Sequence, residues 1–173
     1  GGVSYMSYLA MGVQENSAGY AGGFNGFNED SYRALKGDKD SQYEYSAQVY
    51  SQLMSEMVSS PSYMLNFFTR KQMHQWADPA YKSYWSVQSV PQHGTAKWFY
   101  QMIQPDNAYP VIVFLSYFQL VVWLGAIFYV WFVKRDSKGF DEALVMPLIF
   151  IGGFIFHTFW EAKSQYVFPF FVI

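Results

Sequence analysis

A short stretch near the C-terminus gathers the side chains best suited to binding chemistry. His157 and Glu161 are four residues apart, so they share one face if a helix continues through both. Lys163 follows, and its amine could pair with the phosphate of an anionic, lipid-linked headgroup, next to Gln165 and Tyr166. The alternative is interfacial anchoring, in which Lys163 extends to the lipid headgroups without a specific ligand. On the residues alone, anchoring is favoured because charges at a membrane rim are ordinary.

No catalytic set or cofactor motif can be assembled from the remaining residues. The three histidines, His74, His93 and His157, lack a metal-binding spacing such as HExxH. The absence of cysteine excludes thiolate zinc sites, iron–sulfur clusters, disulfides and cysteine nucleophiles. The glycine-rich stretch 17–28 is not followed by the Gly-Lys-Ser/Thr of a phosphate-binding loop. We therefore assign no catalytic residue and no metal ligand to this sequence, and its cofactor is unknown because no cofactor motif is present.

Aromatic residues are unusually frequent, at 22% of the chain, whereas the net charge is only −2. Proteins that bind nucleic acid usually have a strongly basic face, so this balance argues against a nucleic-acid partner. Trp76, Tyr81 and Trp85 lie among polar residues and could stack against sugar rings. The aromatic residues of the stretch 98–109 directly precede an apolar run, which is typical of an interfacial aromatic belt. Only the first three are therefore candidate sugar contacts.

The distribution of apolar residues divides the chain into an outer segment, 1–109, and a membrane segment, 110–173. Residues 111–133 contain no charge and are long enough to cross a bilayer core of ~30 Å. A second run, 143–160, is near the lower limit for a span, and a third starts at about residue 167. The alternative is a pair of buried helices in a soluble core, which uncharged runs of this length disfavour. We therefore predict two transmembrane helices and the start of a third.

The loop between the two runs sets the predicted orientation. Within the loop 134–142, Lys134, Arg135 and Lys138 are the residues that the positive-inside rule counts, so this loop is predicted to be cytoplasmic. Residues 1–109 and 161–166 then lie on the outer face of a plasma membrane that the chain crosses more than once. Membrane lipid is thus the first predicted partner.

The outer segment is predicted to be mainly α-helical and rich in loops. Apolar residues recur at helical spacing from Gln42 to Ser59, and a second helix starts at Ser60-Pro61 and ends near Trp76. Residues 1–12 could form a short helix or a strand, and the stretch 17–28 is predicted to be an irregular loop. The fold class is therefore mainly α, with an extracytoplasmic helical segment preceding the membrane helices.

The stretch GGFIFHTFWEAKSQYVFPFF resembles the C-terminal membrane segment of bacterial GT-C-type glycosyltransferases, the group related to protein mannosyltransferases. In that group a span often ends in a Glu-x-(Lys/x)-x-(Arg/Gln)-Tyr motif, followed by an apolar helix with a proline. Glu161, Lys163, Gln165, Tyr166 and Pro169 match these positions, and Gln165 stands where Arg is common. The stretches 11–32 and 61–85 are similar to the outer-loop patterns "MGL … GGYN … D" and "FF..K…W.DP.Y" of the same group.

The resemblance implies transfer of a sugar from a polyprenyl-phosphate-linked donor to an acceptor at the outer face. It places the stretch 161–166, with His157, on the donor side and residues 1–109 on the acceptor side. The catalytic acid–base residue of such enzymes lies in the first outer loop, which is expected upstream of residue 1. The chain begins without Met, so we expect a C-terminal part that is inactive alone and has the remainder of the same polypeptide as its partner. The competing hypothesis is a non-enzymatic, membrane-anchored binding or assembly module, or part of a transporter.

Overall fold

The computed structural model describes residues 2–88, 97–104, 106–132 and 140–171. Helices dominate this part of the chain, and its extended pairing is an isolated antiparallel bridge between Glu15 and Ala21. The prediction of a mainly α fold is therefore confirmed. The chain divides into two compact units, a first unit of Gly1–Gln75 with Phe154–Lys163 and a second unit of Trp76–Gly153 with Ser164–Ile173.

The first unit contains four helices from the outer segment. They are α1 (Tyr5–Gly12), α2 (Phe27–Ala34), α3 (Lys39–Ser59) and α4 (Pro61–Trp76), the last residue of α4 belonging to the second unit. The side chain of Ser4 accepts a hydrogen bond from the main-chain N–H of Met6, and Asp38 does the same for Asp40, so both are N-caps. The sequence allowed either a short helix or a strand for residues 1–12, and the structure shows that they are mainly helical.

The break between α3 and α4 follows from one proline. Pro61 lacks an N–H, so it cannot continue α3, and the residue before a proline is disfavoured in the α conformation. Ser60 accordingly has φ −130° and ψ 78°, while Pro61 begins the new helix at the position where proline is well tolerated. The two predicted helices are confirmed to within a few residues.

The core of the first unit lies between α3, α4 and the loop after α1. Val13, Ala21, Met57 and Phe67 are fully buried and in contact, with five partly buried hydrophobic residues packed around them. The helical spacing of Leu65, Phe68 and Met73 predicts an apolar stripe on α4, and this prediction is wrong at Leu65 and Met73, which are 70% and 63% exposed. Instead α4 buries Phe67, Lys71 and Gln75, a face at four-residue spacing that contains two polar side chains.

The second unit contains the apolar helices. Its elements are α5 (Ser83–Gln88), α6 (Lys97–Met102), α7 (Tyr109–Phe132), α8 (Phe140–Phe159) and two 3₁₀ turns, Ser164–Tyr166 and Phe168–Phe171; the end of α8 from Phe154 belongs to the first unit. With 24 residues, α7 is about 36 Å long. It is the one helix among the described residues that is both long and apolar enough to cross a membrane.

The remaining spans stay predictions. The apolar part of α8, Leu144–Phe159, is shorter than α7, and Pro147 lies inside this helix. Where a third span was predicted to start, residues 168–171 form a 3₁₀ turn. The basic residues Lys134, Arg135 and Lys138, on which the orientation depends, lie outside the described residues.

Candidate functional site

Glu161 is the centre of a buried charged cluster that follows the end of α8. The helix ends at Phe159, so Glu161 does not share a helix face with His157. Both side chains are nevertheless buried, Glu161 at 1% and His157 at 7% exposure. The amine of Lys163 lies 2.8 Å from Glu161 Oε1 and 5.1 Å from the centre of the Phe24 ring. Lys163 is therefore held by a carboxylate and an aromatic face, with its side chain partly exposed.

Lys71 supplies a second cation to this cluster. Its side chain is fully buried in α4, and Nζ donates a hydrogen bond of 2.6 Å to the carbonyl oxygen of Gly12. Burial lowers the pKa of Lys71 to about 7, and the charge of Glu161 opposes this shift. We define Lys71, Glu161 and Lys163 as the charged cluster of the first unit. It contains two amines and one carboxylate.

Two glycines let the main chain after α8 approach this cluster. A Cβ at Gly12 would collide with the carbonyl oxygen of Phe159. Gly22 has φ +68°, and a Cβ there would lie 2.7 Å from Lys71 Cε. The carbonyl oxygen of Gly22 also accepts a hydrogen bond of 2.7 Å from the main-chain N–H of Ala162. The glycine-rich loop predicted from the sequence thus packs directly against the charged cluster.

Amide side chains of α4 surround the same region. Gln75 is fully buried, and its side-chain amide has no hydrogen-bond partner within the part of the chain that the structure describes. Gln72 Nε2 donates a hydrogen bond of 2.8 Å to Thr158 Oγ1 in α8. An amide buried without a partner is costly, with a penalty of roughly 1–3 kcal/mol in proteins. Gln75 therefore adds a second buried polar side chain, beside Lys71, to this face of α4.

The two other residues of the predicted donor site lie in the second unit. Gln165 and Tyr166 form a 3₁₀ turn with Ser164. Ser164 Oγ donates a hydrogen bond of 2.6 Å to Asp78 Oδ2, and the same carboxylate accepts from the main-chain N–H groups of Ala80 and Lys82. Asp78 therefore links the turn at 164–166 to the loop that follows α4.

The candidate sugar-contacting aromatic residues have different surroundings. Trp76 is 5% exposed, and its ring packs among aromatic rings that include Trp123 and Phe150. Tyr81 is partly buried with its ring against Phe168, and burial raises the pKa of its hydroxyl. The side chain of Trp85 lies outside the described residues. Stacking of these residues on a sugar remains a prediction.

Sequence reasoning missed the role of Lys71 in this site. Lys71 was noted only as part of the "FF..K…W.DP.Y" pattern, since a lysine in an amphipathic helix is normally assigned to the solvent face. The available signal was its position four residues after Phe67 and four before Gln75, on one helix face.

Within the described residues, no three His, Asp or Glu side chains are grouped so that they could hold a metal ion. No known protein family, curated protein or solved structure matches this chain.

Proposed function

We propose that this chain is part of an integral-membrane glycosyltransferase that transfers a sugar from a polyprenyl-phosphate-linked donor to an acceptor at the outer face of the plasma membrane. The single observation that supports this proposal best is the charged cluster directly after α8. Glu161 is almost fully buried and is paired with Lys163, while the buried Lys71 contributes a second amine. Buried ionisable groups with shifted pKa values occur preferentially at functional sites.

The charges of the cluster favour an anionic ligand. Two amines against one carboxylate leave an excess of one positive charge below about pH 7, where Lys71, with its pKa of about 7, is protonated. Of the two, Lys163 has the side chain with 22% exposure, whereas Lys71 is fully buried. We therefore assign phosphate contact to Lys163, and to Glu161 the task of orienting that amine. His157 is a further donor-side residue of the first unit, and Gln165 and Tyr166 remain donor-side predictions in the second unit.

The location of the cluster agrees with a lipid-linked donor. Glu161 and Lys163 follow α8, whose apolar part is proposed here to be the second span, with a third span starting at about residue 167. In this topology residues 1–109 and 161–166 face outward and the loop 134–142 is cytoplasmic. A polyprenyl phosphate would then present its phosphate at the membrane rim, at the level of the cluster.

The topology can be tested separately because the sequence contains no cysteine. Ser55→Cys places a thiol at an exposed position of α3, and Ser137→Cys places one in the predicted cytoplasmic loop. A membrane-impermeant maleimide should label the first in intact cells and the second only after permeabilisation. Labelling of Ser137→Cys in intact cells would contradict the proposed orientation.

The proposed activity is tested by a transfer assay. The protein is expressed at its full natural length, and membranes are supplied with radiolabelled polyprenyl-phosphate monosaccharides. We expect incorporation of label into an outer-face polymer, lipid or protein that is absent from membranes without the protein. If no donor of this class is used, the chain belongs to the competing class of binding modules or transporter parts.

A further inference from the structure

A groove on the first unit is formed by α2, α3 and the loop after α1. It consists of two cavities of about 360 and 340 Å³ that are open to solvent. Both cavities are lined by Phe27 and Tyr45. The two rings are nearly parallel, with a tilt of 20° and centroids 5.9 Å apart. An aromatic pair therefore stands at the centre of the groove.

The lining on either side of this pair mixes polar with apolar residues and is not basic; the apolar ones are Val49 and Leu53 in the first cavity and Ala34 and Leu35 in the second. The first cavity adds the amides of Gln14 and Gln52, and the second adds Asp30. No lysine, arginine or histidine is among the lining residues, all of which belong to the part of the chain that the structure describes. An anionic polymer would therefore meet a carboxylate without a cation to compensate it, which disfavours such a ligand.

Gln14 is fixed in place before any ligand binds. Its Oε1 accepts a hydrogen bond of 2.8 Å from Asn25 Nδ2, and its Nε2 donates one of 3.1 Å to the carbonyl oxygen of Ala10. A preorganised amide loses little conformational entropy on binding. Planar amides are suited to the hydroxyl groups of a sugar because each offers both donors and acceptors.

We propose that this groove binds a neutral oligosaccharide that extends over the Phe27–Tyr45 pair and serves as the acceptor of the transfer reaction. The acceptor role rests on the proposed function. The binding itself rests on the groove, since aromatic rings offer apolar faces to the C–H surfaces of sugars while amides and a carboxylate bind their hydroxyls. Two cavities that share one aromatic pair match a chain of at least two sugar units.

The binding is tested with the full-length protein in lipid nanodiscs, which avoids detergents that carry sugar headgroups. Saturation-transfer NMR is recorded with cellotetraose, maltotetraose and chitotetraose as probes. We expect at least one of them to bind, and Tyr45→Ala or Phe27→Ala to weaken it about tenfold, the loss of one aromatic contact with its buried area. Tyr45→Phe should retain most of the affinity because it keeps the ring.

Tyr43→Ala is the matched control, since this tyrosine lies on the same helix with 41% exposure and lines neither cavity. Binding of none of the three probes, or an equal loss with Tyr43→Ala and Tyr45→Ala, would overturn the inference, as would a groove that binds short peptides and no glycan. Tyr45-dependent binding without any sugar transfer would support the groove while removing the proposed function. Sugar transfer that is unchanged by Tyr45→Ala would leave the proposed function intact and overturn the acceptor groove.

Discussion

The amine of Lys71 donates a hydrogen bond of 2.6 Å to the carbonyl oxygen of Gly12, a residue 59 positions earlier in the chain. This bond joins the middle of α4 to the end of α1, and both groups are fully buried or nearly so. A buried amine is unfavourable unless hydrogen bonds and an opposite charge compensate it. The carbonyl of Gly12 and the charge of Glu161 provide part of that compensation.

The first prediction concerns the pH dependence of stability. Burial lowers the pKa of Lys71 from 10.5 to about 7. Between pH 7 and pH 10.5, Lys71 holds a proton in the unfolded chain but not in the folded chain. The free energy of unfolding should therefore rise with pH, by up to about 1.4 kcal/mol per pH unit. The penalty for the buried charge is fully present below pH 7 and is relieved as the pH rises towards 10.5.

Lys71→Met should remove this slope, because the variant has no amine to titrate at that position. The slope is measured by denaturant unfolding, followed by circular dichroism, at several pH values between 7 and 9.5. This range lies between the pKa values of Lys71 in the folded and the unfolded chain. Lys39→Met, at an exposed position of α3, is the control and should keep the wild-type slope. Equal slopes for wild type and Lys71→Met would show that Lys71 is not desolvated as the structure describes.

The second prediction concerns the close approach of Gly12 to the chain after α8. In Gly12→Ala the added methyl group would collide with the main chain of Phe159, which cannot rotate away as a side chain could. We expect a loss of about 1–3 kcal/mol in the free energy of unfolding, the usual range for overpacking. Gly152→Ala is the matched control because nothing lies within 4 Å of its added Cβ. Thermal unfolding in detergent measures both, and equal midpoints would contradict the contact.

The third prediction concerns the turn that Asp78 holds. Tyr81 and Lys82 adopt positive φ values of 48° and 61°, which are unfavourable for residues with a Cβ. The carboxylate of Asp78 accepts hydrogen bonds from the N–H of Lys82 and from Ser164 Oγ, at 2.8 and 2.6 Å. Removing these charge-assisted bonds in Asp78→Ala should lower the free energy of unfolding by about 2 kcal/mol.

Asp78→Asn tests the same turn with nearly unchanged volume. Its amide keeps one oxygen acceptor but replaces the other with a donor. We therefore expect a free energy of unfolding between those of the wild type and Asp78→Ala. Limited proteolysis of the loop after α4, with thermal unfolding as the second measurement, compares the three proteins. A wild-type midpoint for Asp78→Ala would show that the turn does not depend on the carboxylate.

The helices and the contact between Lys71 and Gly12 differ in how far the sequence could predict them. The boundary at Ser60-Pro61 is local, because it follows from the ring and the missing N–H of proline, and it was predicted within one residue. The long uncharged helix α7 was equally predictable from composition. The position of Lys71 beside Gly12 was not, since it depends on residues far apart in sequence and contradicts the usual exposure of lysine.

The candidate site shows the same division. The sequence placed Glu161 and Lys163 together because they are neighbours in the chain, and the structure pairs them at 2.8 Å. It did not indicate that Glu161 would be buried, because its burial depends on the close approach of Gly12 and Gly22 to the chain after α8. The groove at Phe27 and Tyr45 was likewise not predicted, since its two rings come from different helices.

The most direct test of the proposed donor site compares two charge pairs in the transfer assay. Glu161→Gln and Lys163→Ala each disrupt the buried pair, whereas Glu29→Gln and Arg33→Ala disrupt an exposed pair of α2 whose partners lie 3.3 Å apart. Transfer from a polyprenyl-phosphate donor by the full-length protein is measured for all four variants, at matched folded protein levels. We predict a loss of at least about tenfold for the Glu161–Lys163 pair, as expected when a charge-assisted contact to the donor phosphate worth about 1.5–3 kcal/mol is lost, and wild-type rates for the exposed pair. Wild-type transfer by both Glu161→Gln and Lys163→Ala would contradict the assignment of the donor site to this cluster.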